Sequence, residues 1–226
     1  MKKIPRIFVP IMLTFTLFFF LKAYDYAGSI ESGTLSIYFL QEQVGYEEYS
    51  WQEEERGYSL TVRGRMTKPI AIEIERLEIH LDKSFIPERY FFRGRVSGVE
   101  QEIRGVFSGG KAVNTKRVAG LEQTETVEIR RDAFILPNPV FSPYMVLTKK
   151  YRCGLQERIE LSAYIIPQME VPATLEPIEK VPCRLMMNLG NTQFEMETDE
   201  QGTLNLLEMP SHNLRVVRTQ VGVPIR

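Results

Sequence analysis

Residues 70–81, IAIEIERLEIHL, alternate apolar and polar side chains and change phase once, from Ile70, Ile72 and Ile74 to Leu77, Ile79 and Leu81. A period of two is the pattern of a strand with one face buried, and no helix keeps it over twelve residues. The phase change marks one inserted residue, which is how a β-bulge bends a sheet. The same reading applies to Leu204 and Leu206, which give way to Leu207 and Met209.

Working outward, the alternation recurs along most of the chain. Leu35, Ile37 and Phe39 are followed by Tyr58, Leu60 and Val62, then by Tyr90, Phe92 and Val96, and by Ile103 and Phe107. Further on come Ile159, Leu161, Ala163 and Ile165, then Cys183 to Leu189, Phe194 with Met196, Leu204 to Met209, and Leu214 to Arg218. Turn residues separate them, among them Gly45, Gly57, Ser97–Gly98, Gly109–Gly110, Gly190–Asn191 and Asp199–Gly202. Ten or more strands joined by short turns predict a mainly β fold, a curved antiparallel meander forming a half-barrel or open barrel. The proline-rich stretch Ile166–Pro182 reads as a crossover or edge strand, because proline cannot donate to a ladder. It is the one point where residues 30–220, otherwise a single β-rich domain, could divide.

One segment reads differently. Ser142 suits an N-cap and Pro143 the first helical position, Lys149, Lys150 and Arg152 crowd a last turn, and Gly154 suits a left-handed stop. A helix over about 142–153 follows. Tyr144, Leu147 and Tyr151 share one of its faces, which predicts that it lies against the concave side of the sheet.

The N-terminus carries an address. Lys2, Lys3 and Arg6 precede Ile7–Leu21 (IFVPIMLTFTLFFFL), a stretch with no charge. That is the pattern of a secretory signal. As a helix it would span about 22 Å against roughly 30 Å of hydrocarbon. Residues 1–23 are therefore a signal peptide cleaved after Ala23, or an anchor with Tyr24 and Tyr26 at the headgroup level; the positive end stays inside. Export to the periplasm, or to the outer face of the inner membrane, is expected. Cys153 and Cys183, the only cysteines, then form a disulfide or serve as buried small hydrophobes.

Charge and motif content exclude several functions. The formal net charge is −1, and −5 once Lys2, Lys3, Arg6 and Lys22 are set aside, which disfavours a nucleic-acid partner. No nucleophile elbow, zinc-protease helix, paired-cysteine motif or phosphate loop occurs. His80 and Asp82 share a strand face but have no nucleophile to serve, and carboxylates such as Glu73, Glu75, Glu125 and Glu128 sit beside basic residues in a pattern of cross-strand ion pairs. No catalytic residue, metal site or cofactor is assigned. Arg89, Arg93 and Arg95 form a polar stripe, read as a solvated face or a site for an anionic headgroup or acidic partner. Tyr90, Phe92, Phe107, Phe141, Tyr144, Met145 and Tyr151 are the candidate lining of a hydrophobic ligand site, or else core.

The signal segment, the meandering strands with charged alternate positions and the one inserted helix resemble the lipoprotein-carrier half-barrels of the bacterial periplasm, of the LolA and LolB type, and exported domains near them. The resemblance is architectural and covers residues 30–220. It implies a non-enzymatic envelope protein binding a lipid, a lipidated protein or another hydrophobic ligand, with membrane association through residues 7–21. The alternatives are an envelope scaffold acting through protein contacts, and a glycan hydrolase using carboxylates.

Overall fold

The computed structural model describes residues 29–178 and 181–219; the expected signal peptide or anchor, residues 1–23, lies outside them. The mainly β expectation is borne out. Eight strands run in sequence: β1 (Ile30–Phe39), β2 (Glu42–Glu53), β3 (Gly57–Met66), β4 (Ile72–Asp82), β5 (Pro87–Val96), β6 (Val99–Ser108), β7 (Lys111–Val118) and β8 (Leu121–Glu128). A short β9 (Phe134–Pro137) and a helix α1 (Tyr144–Tyr151) follow. Then come β10 (Ile159–Ile166), β11 (Met169–Pro177), β12 (Arg184–Leu189), β13 (Thr192–Thr198), β14 (Leu204–Met209) and β15 (Leu214–Thr219).

All fifteen strands form one sheet in the order β8-β7-β6-β5-β4-β3-β2-β1-β15-β14-β13-β12-β11-β10-β9. Two meanders are thus spliced in the middle, where β1 pairs antiparallel with β15. The described pairings are antiparallel except β9 with β10, which is parallel. β8 and β9 form the two edges, yet only residues 129–133 join them. Such a link reaches about 20 Å at most. The sheet must therefore curl until its edges approach without closing its ladder. Side chains meet across that gap: Asn114 on β7 donates to the Tyr164 hydroxyl on β10 at 2.6 Å, and Phe107 on β6 sets its ring edge-on to Tyr164 at 6.2 Å.

Both expected phase changes are bulges. The β4–β5 register shifts between Ile74 and Arg76, so Ile72, Ile74, Leu77, Ile79 and Leu81 all point inward and are buried. The β13–β14 register shifts between Glu197 and Thr198, opposite Leu206 and Leu204. Gly94, on the inward face of β5, belongs to the same bend. A Cβ there would lie 2.0 Å from the Glu73 carbonyl oxygen.

Three expectations are corrected. The proline-rich stretch is neither crossover nor edge but contains β11, between β10 and β12. Pro172 is tolerated because it lies just beyond the last β11–β12 pair, Ala173 with Leu189; its carbonyl accepts from Gly190 N at 3.4 Å, so its missing donor faces the end of the ladder. In β10 the expected set does share the inward face, since Ile159, Leu161 and Ala163 pair with Leu175, Ala173 and Val171, but the strand is not half-buried: Ser162, Tyr164 and Ile166 on its other face are buried as well. Period two cannot tell two faces apart when both carry apolar residues.

The third correction concerns α1. The helix lies against the concave side of the sheet, as expected, but Tyr144, Met145, Val146, Leu147, Thr148 and Lys149 are consecutive and all buried, so it is enclosed on every side and not through one face alone. It plugs the curled sheet, running from the end where β1 finishes to the end where β1 starts. The Ser142 hydroxyl caps nothing on the helix and is turned to Glu47, and the positive φ falls at Arg152, not Gly154. The turn between β13 and β14 closes on the helix at Gly202, φ +77°, where a Cβ would lie 2.3 Å from the Thr148 carbonyl oxygen. Only glycine combines that conformation with that approach. Cys153 and Cys183 are joined as a disulfide, Cα to Cα 4.3 Å, tying the end of the plug to the segment before β12. Cys183 has φ +61° and so leaves the alternation it shares in sequence with Leu185 and Met187.

Candidate functional site

Following the strands gives the molecule two ends. The mouth end holds the end of β1, the end of β3, the start of β13 and the turn between β14 and β15. The opposite end holds the start of β1 and the disulfide. At the mouth end a cavity of about 470 Å³ opens between strand ends and the start of the plug. Its size falls in the range of small-molecule pockets, roughly 300–1,000 Å³. Phe39, Met66, Phe194 and Met209 reach it from strand ends, and Phe141 and Tyr144 from the plug. Tyr144 packs against Phe194 with ring centroids 5.2 Å apart, and burial pushes the Tyr144 hydroxyl above the usual tyrosine range. The lining is apolar because strand residues facing inward reach it from all sides, and the loop 138–141 supplies Pro139 and Val140.

One carboxylate fixes the plug to the wall. Glu47 on β2 is 1% exposed, in phase with Tyr49 and Trp51. Its carboxylate accepts from Phe141 N at 2.9 Å, from Ser142 N at 2.7 Å and from the Ser142 hydroxyl at 2.5 Å. Burial pushes its pKa up, and these three donors oppose that shift. The sequence carries a signal for this residue, an acid at a position whose parity matches the inward aromatics Tyr49 and Trp51, though it is not among the candidates named from sequence.

The other end of the plug is held by a charged cluster. Lys149, 8% exposed, donates to Glu31 at 2.5 Å and to Thr203 Oγ1 at 2.9 Å. Arg218 approaches Glu31 at 3.8 Å and Asp199 at 3.3 Å, and the Tyr49 hydroxyl donates to Glu31 at 3.4 Å. Burial, more than the neighbouring charges, pushes Tyr49 up to about 12.

The candidates named from sequence separate into two groups. Phe141 and Tyr144 line the mouth, whereas Tyr90, Phe92, Phe107 and Met145 are buried in the packed interior and Tyr151 is half-buried near the opposite end. Tyr90, enclosed by apolar neighbours, has its hydroxyl pushed well above the usual range by burial. In the arginine stripe, Arg93 pairs with Glu75 at 3.3 Å and Arg95 with Glu73 at 3.1 Å, while Arg89 stands across from His80 and Val106. The Asp82 carboxylate is engaged by Ser84 N and Ile86 N, at 2.8 and 2.9 Å, and caps a turn. Among the described residues no three His, Cys, Asp or Glu side chains cluster as metal ligands. Phe39, Phe194 and Met209 were legible as strand residues, and Met66 was not; none was legible as part of one site, because strands far apart in sequence bring them together.

No protein-family model matches the chain, so the resemblance to the lipoprotein carriers rests on architecture, and no curated protein matches it. Among solved structures, the chain is similar to the crystal structure of a DUF1089 family protein from Pseudomonas aeruginosa, at 12% identity and a TM-score of 0.45, covering 84% of this chain and 97% of that one.

Proposed function

We propose that this chain is an exported, non-enzymatic envelope protein that holds the apolar part of a lipid, of a lipidated protein or of another hydrophobic ligand in the mouth between the strand ends and the start of the plug. The observation that carries this reading is the apolar cavity of about 470 Å³ lined by Phe39, Met66, Phe141, Tyr144, Phe194 and Met209. Because α1 fills the rest of the interior, the ligand enters the mouth only and does not run through the sheet. Aromatic and methionine side chains suit greasy ligands of variable shape. The side chains that often perform chemistry are engaged in structure here: Asp82 in a turn, Glu47 on the plug, and Cys153 in the disulfide. The basic cap and apolar run of residues 2–21, and the paired cysteines, support export.

The test is equilibrium binding of a fluorescent long-chain fatty acid to the purified protein, compared with Val171→Trp. Val171 is half-buried in the mouth wall, and the indole fills the space without removing core. Saturable binding that V171W abolishes, at an unchanged thermal midpoint, is the expected result. Absence of binding by the unmodified protein, or equal binding by V171W, would overturn the reading.

A second reading, a scaffold acting through strand pairing, is favoured by β8. This edge strand is exposed along nearly its whole length, with no strand on its outer side among the described residues. A partner captured by the intact protein and lost on Thr124→Pro would favour it.

A further inference from the structure

The two ends of the molecule differ sharply in chemistry. At the opposite end the connections carry Glu54, Glu55 and Arg56, Lys83, Arg130 to Asp132, Glu157 with Arg158, and Asp199 with Glu200. At the mouth end, Lys68 is the one charged residue in the connections among the described residues, and it pairs with Glu42 at 2.9 Å. This end exposes five large apolar side chains, against two, Ile30 and Val181, among the described residues at the opposite end. Leu40 projects from the β1–β2 turn, Ile70 from the β3–β4 connection, Val99 from the start of β6, Leu121 from the start of β8, and Met169 from the start of β11. They are 62%, 41%, 42%, 80% and 54% exposed. Each sits at a separate hairpin tip, and Ile70 also lines the mouth.

We infer that the mouth end docks on the surface of a lipid bilayer, with these five side chains inserted below the headgroups. The inference rests on the ligand reading for its purpose, since the mouth opens where acyl chains would be offered. Its physical basis is separate. A protein interface places its apolar residues in a contiguous, close-packed core. Here they stand singly on different turns, with polar backbone between them. A bilayer accepts such separated side chains at once, while turn N–H and C=O groups stay in the hydrated interface. The basic residues near this end, Lys68, Arg95 and Arg117, are each paired with a glutamate, so attraction to anionic lipid contributes little, neutral lipid suffices and salt has little effect.

The test is sedimentation of the purified protein with neutral phosphatidylcholine vesicles, with and without added salt. Leu40→Asp combined with Leu121→Asp should lower the bound fraction by about tenfold or more, as expected for losing two inserted leucines. The milder Met169→Gln should weaken it less. Val106→Asp and Val113→Asp remove apolar groups about as exposed as Met169 and Ile70, at 54% and 40%, from the outer wall between the ends, and should change nothing. Val171→Trp should still sediment, and the double tip variant should still bind the soluble fatty-acid probe; these arms separate failure of docking from failure of the ligand site. No sedimentation of the intact protein would overturn the inference. So would equal losses from the wall variants, or a change of oligomeric state on L40D/L121D without lipid, which would make this end an interface between copies.

Discussion

Replacing Glu47 should be among the most damaging single changes in the molecule, and its cost can be worked from the structure. The carboxylate satisfies the backbone N–H groups of Phe141 and Ser142, at 4% and 0% exposure, away from bulk solvent. Each buried donor left unsatisfied costs about 1–3 kcal/mol. With the cavity left by the missing side chain, Glu47→Ala should lose about 3–6 kcal/mol. Net stabilities are about 5–15 kcal/mol, so much of the fold's margin would go. Glu47→Gln keeps the shape, and its carbonyl serves one N–H while its amide nitrogen turns to the Ser142 hydroxyl. One N–H remains orphaned, at about 1–3 kcal/mol. Ser142→Ala should cost about 1 kcal/mol.

The same residue should give the protein a pH signature. Burial raises the folded-state pKa of Glu47 above its unfolded value. Folding therefore takes up a proton between the two. The stability from this group is fully present below the unfolded pKa and is lost as pH rises through the folded one, about 1.4 kcal/mol for each unit of difference. Glu47→Gln should remove that slope. Urea unfolding of the three variants at several pH values reads all of these quantities, provided the dependence on denaturant is unchanged. A loss under about 1 kcal/mol in Glu47→Ala, equal losses in E47A and E47Q, or an unchanged slope in E47Q would refute the reasoning.

Two further outcomes are expected. Reducing the Cys153–Cys183 bridge, or replacing both residues by serine, should cost about 3–4 kcal/mol on the chain-entropy estimate for a separation of 30 residues, measured by urea midpoint with and without reductant. Tyr164→Phe should cost about 1–3 kcal/mol, because the buried Asn114 amide, whose Oδ1 has no partner, would lose its Nδ2 acceptor as well; Asn114→Leu combined with Tyr164→Phe should recover most of that loss in a double-mutant cycle.

Period two by itself determined that the chain is a many-stranded sheet, because alternation over each strand has no helical reading. It also determined the bulges in β4 and β14, because an inserted residue must flip every side chain after it. The helix was legible from Pro143 and the basic run 149–152, but its burial was not. Sequence shows one amphipathic face, whereas only a sheet that curls around the helix can cover all of them. The curl itself follows from tertiary facts: which strands form the edges, and how short a link joins β8 to β9. Strand order also decided which aromatics form a site. Tyr90, Phe92 and Phe107 looked as available as Phe141 and Tyr144, yet register sends the first three into packed interior and the last two to an open end. The apolar tips were likewise unremarkable one by one. Leu40, Ile70, Val99, Leu121 and Met169 become a surface only because alternating strand direction delivers those turns to one end, and no local interaction in the sequence encodes that.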